Sequence, residues 1–267
     1  MPPARRERPA LDLAWNPIVF ALGQVVISAV LNMESYIPEI QERLRKSGYP
    51  RFERLELQTL RFEARSNPRM QTDTRWLFIN RDDTGLVSIN THSVVLERSE
   101  YGSFDDFASE LAAVLAQIQE VIDVEITDRL GFRRVNLIEG QDDLPLTDAL
   151  SGGLLGIDAG SFADAAEHRY EFWADTPVGR LMVRTSHPVP EDVLPDDLLP
   201  SRLIVRRPAV PTRAATVDID HFMVEPADFS AENIIESFWK LHDASDQAFR
   251  SAVTEAALEA WQKGGPS

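Results

Sequence analysis

No cysteine occurs among the 267 residues, so the chain has no disulfide framework, no thiolate nucleophile and no cysteine-ligated zinc or iron–sulfur cluster. Positive charge is also scarce. Twenty-seven Lys and Arg stand against 43 Asp and Glu, a formal net charge of −16, and such a field repels phosphate backbones and anionic bilayers. Neither nucleic acid nor a membrane surface is an expected partner. The most apolar run, Ile18 to Leu31, is fourteen residues long and carries Gly23 and Gln24, whereas a membrane span needs about 20 apolar residues. Arg5, Arg6 and Arg8 precede it like the basic region of an export signal. Glu7 and Asp12 interrupt them and no Ala-x-Ala cleavage site follows, so a cytoplasmic protein is expected. Several motifs are missing too. The chain has no G-x-S-x-G nucleophile elbow, Gly152-Gly153 lacks the Lys-Ser/Thr of a phosphate loop, and the five histidines show no H-E-x-x-H spacing.

With 43% apolar and 26% charged residues, the composition is that of an ordinary globular domain. At this length roughly 70–75% of the unfolded surface can be buried without a covalent or metal staple. Residues 1–16 read as a polar tail ended by Asn16-Pro17, and residues 17–263 as a single α+β domain. Ile18 onward is a buried, β-branched strand. Ser35 to Lys46 is a short amphipathic helix stopped by Gly48 and Pro50. Phe52 to Phe62 is a strand whose spacing slips between Leu57 and Leu60, which predicts a bulge. Trp76 and Phe78, then Leu86 to Leu96, give a hairpin. Ser103 caps a helix with Phe104, Phe107, Leu111, Val114, Leu115, Ile118 and Val121 on one stripe.

The second half follows the same plan: a strand from Glu125 to Ile138, a short helical piece at Thr147 to Leu155, a hairpin from Arg169 to Thr185, and one helix from about Ser230 to Gln262. Arg75-Trp76-Leu77-Phe78 and the Asp83-Thr84-Gly85 turn are echoed by Arg169-Tyr170-Glu171-Phe172-Trp173 and Asp175-Thr176 with Gly179. The fold expected is a curved, mostly antiparallel sheet of about eight strands, packed on one face by two long helices. Two readings of the echo stand: a β-α-β-β-β-α unit used twice, in residues 17–123 and 124–263, or a chance likeness between two hairpins that share turn chemistry.

Several fragments in order, Asn16-Pro17-Ile18-Val19, Trp76-x-Phe78, Gly131-Phe132-Arg133-Arg134-Val135-Asn136, Asp218-Ile219-Asp220 and Leu241-His242-Asp243, resemble a sporadically distributed family of uncharacterised bacterial proteins. The likeness spans nearly the full chain. It implies one architecture and carries no activity and no functional residue with it.

Asp218 and Asp220 alternate along a strand, which puts both carboxylates on one face about 7 Å apart, a spacing that can share a hard cation such as Mg²⁺. The competing reading is the solvent face of an antiparallel strand. Arg133, Arg134 and Asn136 form a second candidate. Arg134 and Asn136 could hydrogen-bond a ligand, whereas Arg133, on the face of Val135 and Leu137, reads as a buried arginine paired with an acid. His242, beside Asp243 and Asp246, reads as a general base or as a helix-flank histidine in a local ion pair. Trp261 reads as a contact residue near the end of the last helix. No cofactor is expected; Mg²⁺ enters only with the alternative in which Asp218 and Asp220 share a cation.

Between Gln141 and Pro200 lie twelve acids and three arginines, a net charge of −9. That asymmetry, without a catalytic motif, favours a non-enzymatic component that uses its acidic middle to engage a basic protein partner. The alternative is a metal-dependent enzyme or nucleotide-handling protein built on Asp218 and Asp220. A third option is a small-ligand pocket between sheet and helices. Nothing in the sequence sets an oligomeric state.

Overall fold

A computed structural model describes residues 13–61, 69–157, 167–199 and 201–264. Its elements run β1 (Ile18–Ile27), α1 (Met33–Lys46), β2 (Arg51–Arg61), β3 (Arg69–Ile79), β4 (Gly85–Ile89), β5 (Ser93–Arg98), α2 (Phe104–Gln119), β6 (Ile126–Glu139), α3 (Leu146–Ala149), β7 (His168–Thr176), β8 (Gly179–His187), β9 (Ala214–Met223), β10 (Ala227–Asp228), α4 (Ala231–Ala252) and α5 (Glu255–Gln262). The ten strands make one open sheet in the order β2-β3-β4-β5-β1-β6-β9-β8-β7, with the two-residue β10 beside β6. Every strand pairing is antiparallel. The α+β class and the antiparallel sheet expected from sequence are both present.

β1 is central and covered on both faces, which is why its sequence is continuously apolar rather than alternating. Ala21, Val25 and Ile27 face a helix-side core with α1, α2 and the first part of α4, while Phe20 faces the reverse side. Gly23 leaves room for rings from two helices: a Cβ there would stand 3.1 Å from the Phe107 ring and 3.2 Å from that of Phe238. Ser103 caps α2 by accepting from the Asp106 N–H at 3.1 Å.

Four expectations need correction. The strand β2 is regular, its register with β3 running unbroken from Arg51↔Ile79 to Arg61↔Arg69, so there is no bulge between Leu57 and Leu60. The long terminal helix is two helices. Val253 turns extended and bridges Leu150, and Thr254 caps α5, accepting from the Ala257 N–H at 3.2 Å and donating to the Asp148 carbonyl at 2.6 Å. Residues 1–12 lie outside the described residues, but the end of the supposed polar tail is part of the fold, since the Trp15 N–H donates to the Trp261 carbonyl at 3.0 Å. Lastly, the reverse face of the sheet is partly roofed. Val189, Val193, Leu194 and Leu203, from the segment joining β8 to β9, pack on Phe20, Leu77, Ile79, Leu86, Val135 and Leu137 as a second apolar layer. Among the described residues no helix is long and apolar enough to cross a membrane.

Candidate functional site

Adjacent positions on β6 point to opposite faces of the sheet, so Arg133 and Arg134 belong to two different polar clusters. On the reverse face Arg133 lies across the ladder from Asp220, yet its guanidinium reaches diagonally to Asp218. Nε donates to Asp218 Oδ1 at 2.8 Å and Nη2 to Oδ2 at 2.7 Å, a two-point fork. Its outer edge meets Asp197, to whose Oδ1 Nη2 donates at 3.2 Å. From β8, Arg184 Nη1 donates to the same Asp197 oxygen at 3.2 Å, and its Nε donates to Glu171 of β7 at 3.2 Å. Trp173 Nε1 then donates to Glu171 at 2.7 Å, and Arg180 stacks over the Trp173 ring at 4.9 Å. A ribbon of alternating charge thus ties four neighbouring strands to the roofing segment.

Burial grades this ribbon from inside to outside. Side-chain exposure is 7% for Arg133 and 2% for Asp218, against 55% for Asp197. Burial disfavours charge on Arg133, but the two carboxylates outweigh it and hold the guanidinium above its ordinary value. Burial pushes the Asp218 carboxyl up, and the Arg133 fork opposes it. Arg133 holds Asp197 down to about 2. Two strands away, Glu97 stands across the ladders from Leu22 and Leu86; burial pushes it up to about 7, opposed by Arg75.

These two acids give the pH dependence opposite slopes. Asp197, ordinarily 3.8, binds protons less readily folded than unfolded, so its contribution is present above that value and is lost as pH falls toward about 2. Glu97, ordinarily 4.5, binds them more readily folded, so stability declines as pH rises from there to about 7 and is level beyond. Urea titrations across this range are expected to show both limbs. Asp197→Asn should flatten the acid limb and Glu97→Gln the upper one.

On the helix face Arg134 Nη1 stands 2.7 Å from Asp246 Oδ1 of α4, and His242 Nε2 is 3.6 Å from the same oxygen. His242 is buried and stacks on Phe104 with 4.0 Å between centroids. Arg134 Nε and Nη2, His242 Nδ1 and the Tyr101 hydroxyl make no hydrogen bond among the described residues. Asn136 is buried and donates to the Val217 carbonyl at 2.9 Å, as a ladder-flanking structural amide. Trp261 is 1% exposed, between Trp15 and Phe249.

The seven candidate residues therefore do not converge. Arg133, Asp218 and Asp220 share the reverse face, while Arg134 and His242 share the opposite one. Asn136 and Trp261 sit within packing. Both oxygens of Asp218 are engaged by Arg133, and among the described residues no group of three or more His, Asp or Glu is placed to hold a metal ion. Asp220 is half-buried and its carboxyl is pushed up by burial. His221, next in sequence, faces the helices. Its Nδ1 donates to the Leu241 carbonyl at 3.0 Å, and burial pushes the ring below the usual histidine value, opposed by that hydrogen bond. Sequence reading assigned Asp197 to the acidic surface rather than to Arg133, and singled out neither Arg184 nor Glu97. The face of Arg133 signalled an acidic partner without identifying it, and the i, i+4 spacing of His242 and Asp246 signalled a named one. No family model matches the chain, and no curated protein matches it.

Proposed function

We propose that this chain is a non-enzymatic interaction component whose acidic middle segment engages a basic protein partner. One observation carries the reading: exposed acids from separate loops lie beside the start of β9 and along the segment that roofs the reverse face. Asp142 and Asp143 follow β6, and Glu191, Asp192 and Asp196 follow β8; all five are exposed. Backbone bonds from the Gly140 N–H to Arg213 O at 2.8 Å and from the Val189 N–H to Pro211 O at 3.3 Å bring these loops beside the start of β9. Arg213 and Arg207 temper the charge, at 2.6 Å from Asp142 and 3.8 Å from Asp192. Exposed pairs of this kind contribute little and exchange readily with a partner's cations.

The sheet order supports one further reading, that the halves are copies of one unit. The succession β3-β4-β5-β1 on one side of the central β1/β6 seam has the same plan as β7-β8-β9-β6 on the other. The additional strand β2 belongs to the first half alone.

Changing Asp142, Asp143, Asp192 and Asp196 together to Asn tests the partner reading without touching Asp197 or the core. The wild-type chain is expected to capture a basic protein from its source cells at low ionic strength. That capture should fall steeply with added salt and vanish in the variant. Capture that is indifferent to both salt and the substitutions would reject the reading.

A further inference from the structure

The two outermost strands of the sheet are built differently. Along the described side chains of β2, Arg51, Glu53, Arg54 and Glu56 are exposed and Phe52, at 38%, is the one exposed large apolar residue among them, a mostly charged edge that discourages strand addition. Along β7 the exposed residues include Tyr170 at 45%, Phe172 at 48% and Trp173 at 44%. We propose that β7 is the edge along which two copies of this chain join, antiparallel, into one continuous sheet.

Hydrogen-bond parity limits how two such strands can meet. The β7–β8 connection is a two-residue turn, Pro177-Val178, closed by Thr176↔Gly179. That closing pair is of the hydrogen-bonded kind, so Thr176, Ala174, Phe172, Tyr170 and His168 direct their backbone groups toward β8. Arg169, Glu171, Trp173 and Asp175 direct theirs outward. Only registers that place these outward residues opposite one another can form a ladder.

Charge and length of overlap together select among them: an axis at Tyr170 also sets Arg169 against Glu171 but overlaps only the five residues His168 to Phe172. A two-fold axis at Glu171 sets that carboxylate against its own copy, and an axis at Trp173 sets Glu171 against Asp175. An axis at Phe172 aligns all nine residues. It sets Arg169 opposite the second copy's Asp175 twice over and Glu171 opposite Trp173, and it joins Tyr170 and Phe172 of both copies into one apolar strip. Among the described residues neither Arg169 nor Asp175 makes an ion pair within its own chain, so each is available for the other. An isologous contact of this kind closes as a dimer and leaves no repeating edge.

The test uses the full-length chain in sedimentation equilibrium. Wild type is expected to be dimeric. Arg169→Asp alone and Asp175→Arg alone each place like charges at two points and should weaken association about tenfold or more. An equimolar mixture of the two variants should recover a mixed dimer, because every facing pair is then opposite in sign. As the chain lacks cysteine, Phe172→Cys supplies a single thiol on the axis, and mild oxidation should give a covalent dimer that Tyr170→Cys does not. A monomeric wild type, a dimer unaffected by either charge reversal, or no recovery on mixing would overturn the proposal. Circular dichroism of each variant confirms that a loss of association is not a loss of fold.

Discussion

Arg133→Ala is expected to destabilise the protein by about 3–5 kcal/mol, the cost of stranding a buried charge without its partner. The magnitude follows from the near-complete burial of Arg133 and Asp218. Once the guanidinium is gone, both Asp218 oxygens face the apolar layer of Val135 and Leu137, and among the described residues Arg184, 3.7 Å away, is the one cation in reach. Asp218→Asn should cost less, because the amide still accepts from Arg133. The double replacement Arg133→Met, Asp218→Leu is expected to recover most of the loss, since removing both charges also removes their desolvation penalty. Equilibrium urea unfolding of the single and double variants measures this directly. A single-variant loss no larger than that of an exposed pair, under about 1 kcal/mol, would show that water reaches Asp218.

Trp261→Ala should have an effect of similar size. A surface contact residue would change stability by no more than about 0.5 kcal/mol, but a ring held between Trp15 and Phe249 leaves a large void, and Trp-to-Ala changes in cores cost about 3–5 kcal/mol. Trp261→Phe should be milder. The indole Nε1 has no hydrogen-bond partner among the described residues, so the change removes volume and an unsatisfied donor together. Intrinsic fluorescence during denaturant unfolding is informative here, because Trp15 and Trp261 have ring centroids 5.6 Å apart and should lose their shared environment in one step.

Those two residues also show where sequence reasoning stopped. Elements with their own periodicity were legible: the two-faced apolar strand at Ile18–Ile27, the stripe and Ser103 cap of α2, and the β7–β8 hairpin. The break at Val253-Thr254 was not, because Phe249, Val253, Ala256 and Ala260 keep helical spacing straight through it. Thr254 followed by Glu255 was the available signal, a capping residue before an acidic first turn. The roof on the reverse face was also illegible. Val189, Val193, Leu194 and Leu203 follow no period, and only the finished sheet gives them a surface to cover. Arg133 could be read as a paired arginine, but its partners lie 64 and 85 residues away, and choosing Asp197 and Asp218 from 43 acids requires the strand order.

The helix α4 has a role beyond covering the sheet. Phe238 and Leu241, toward its start, belong to the apolar pool beneath α1 and α2; Phe249 and Ala252, at its end, belong to the separate pool shared with α5. One rod of 22 residues is thus a common wall for both. Neither pool can be flooded without loosening the other, so the two ends of the molecule are thermodynamically yoked even though their side chains fall into different clusters.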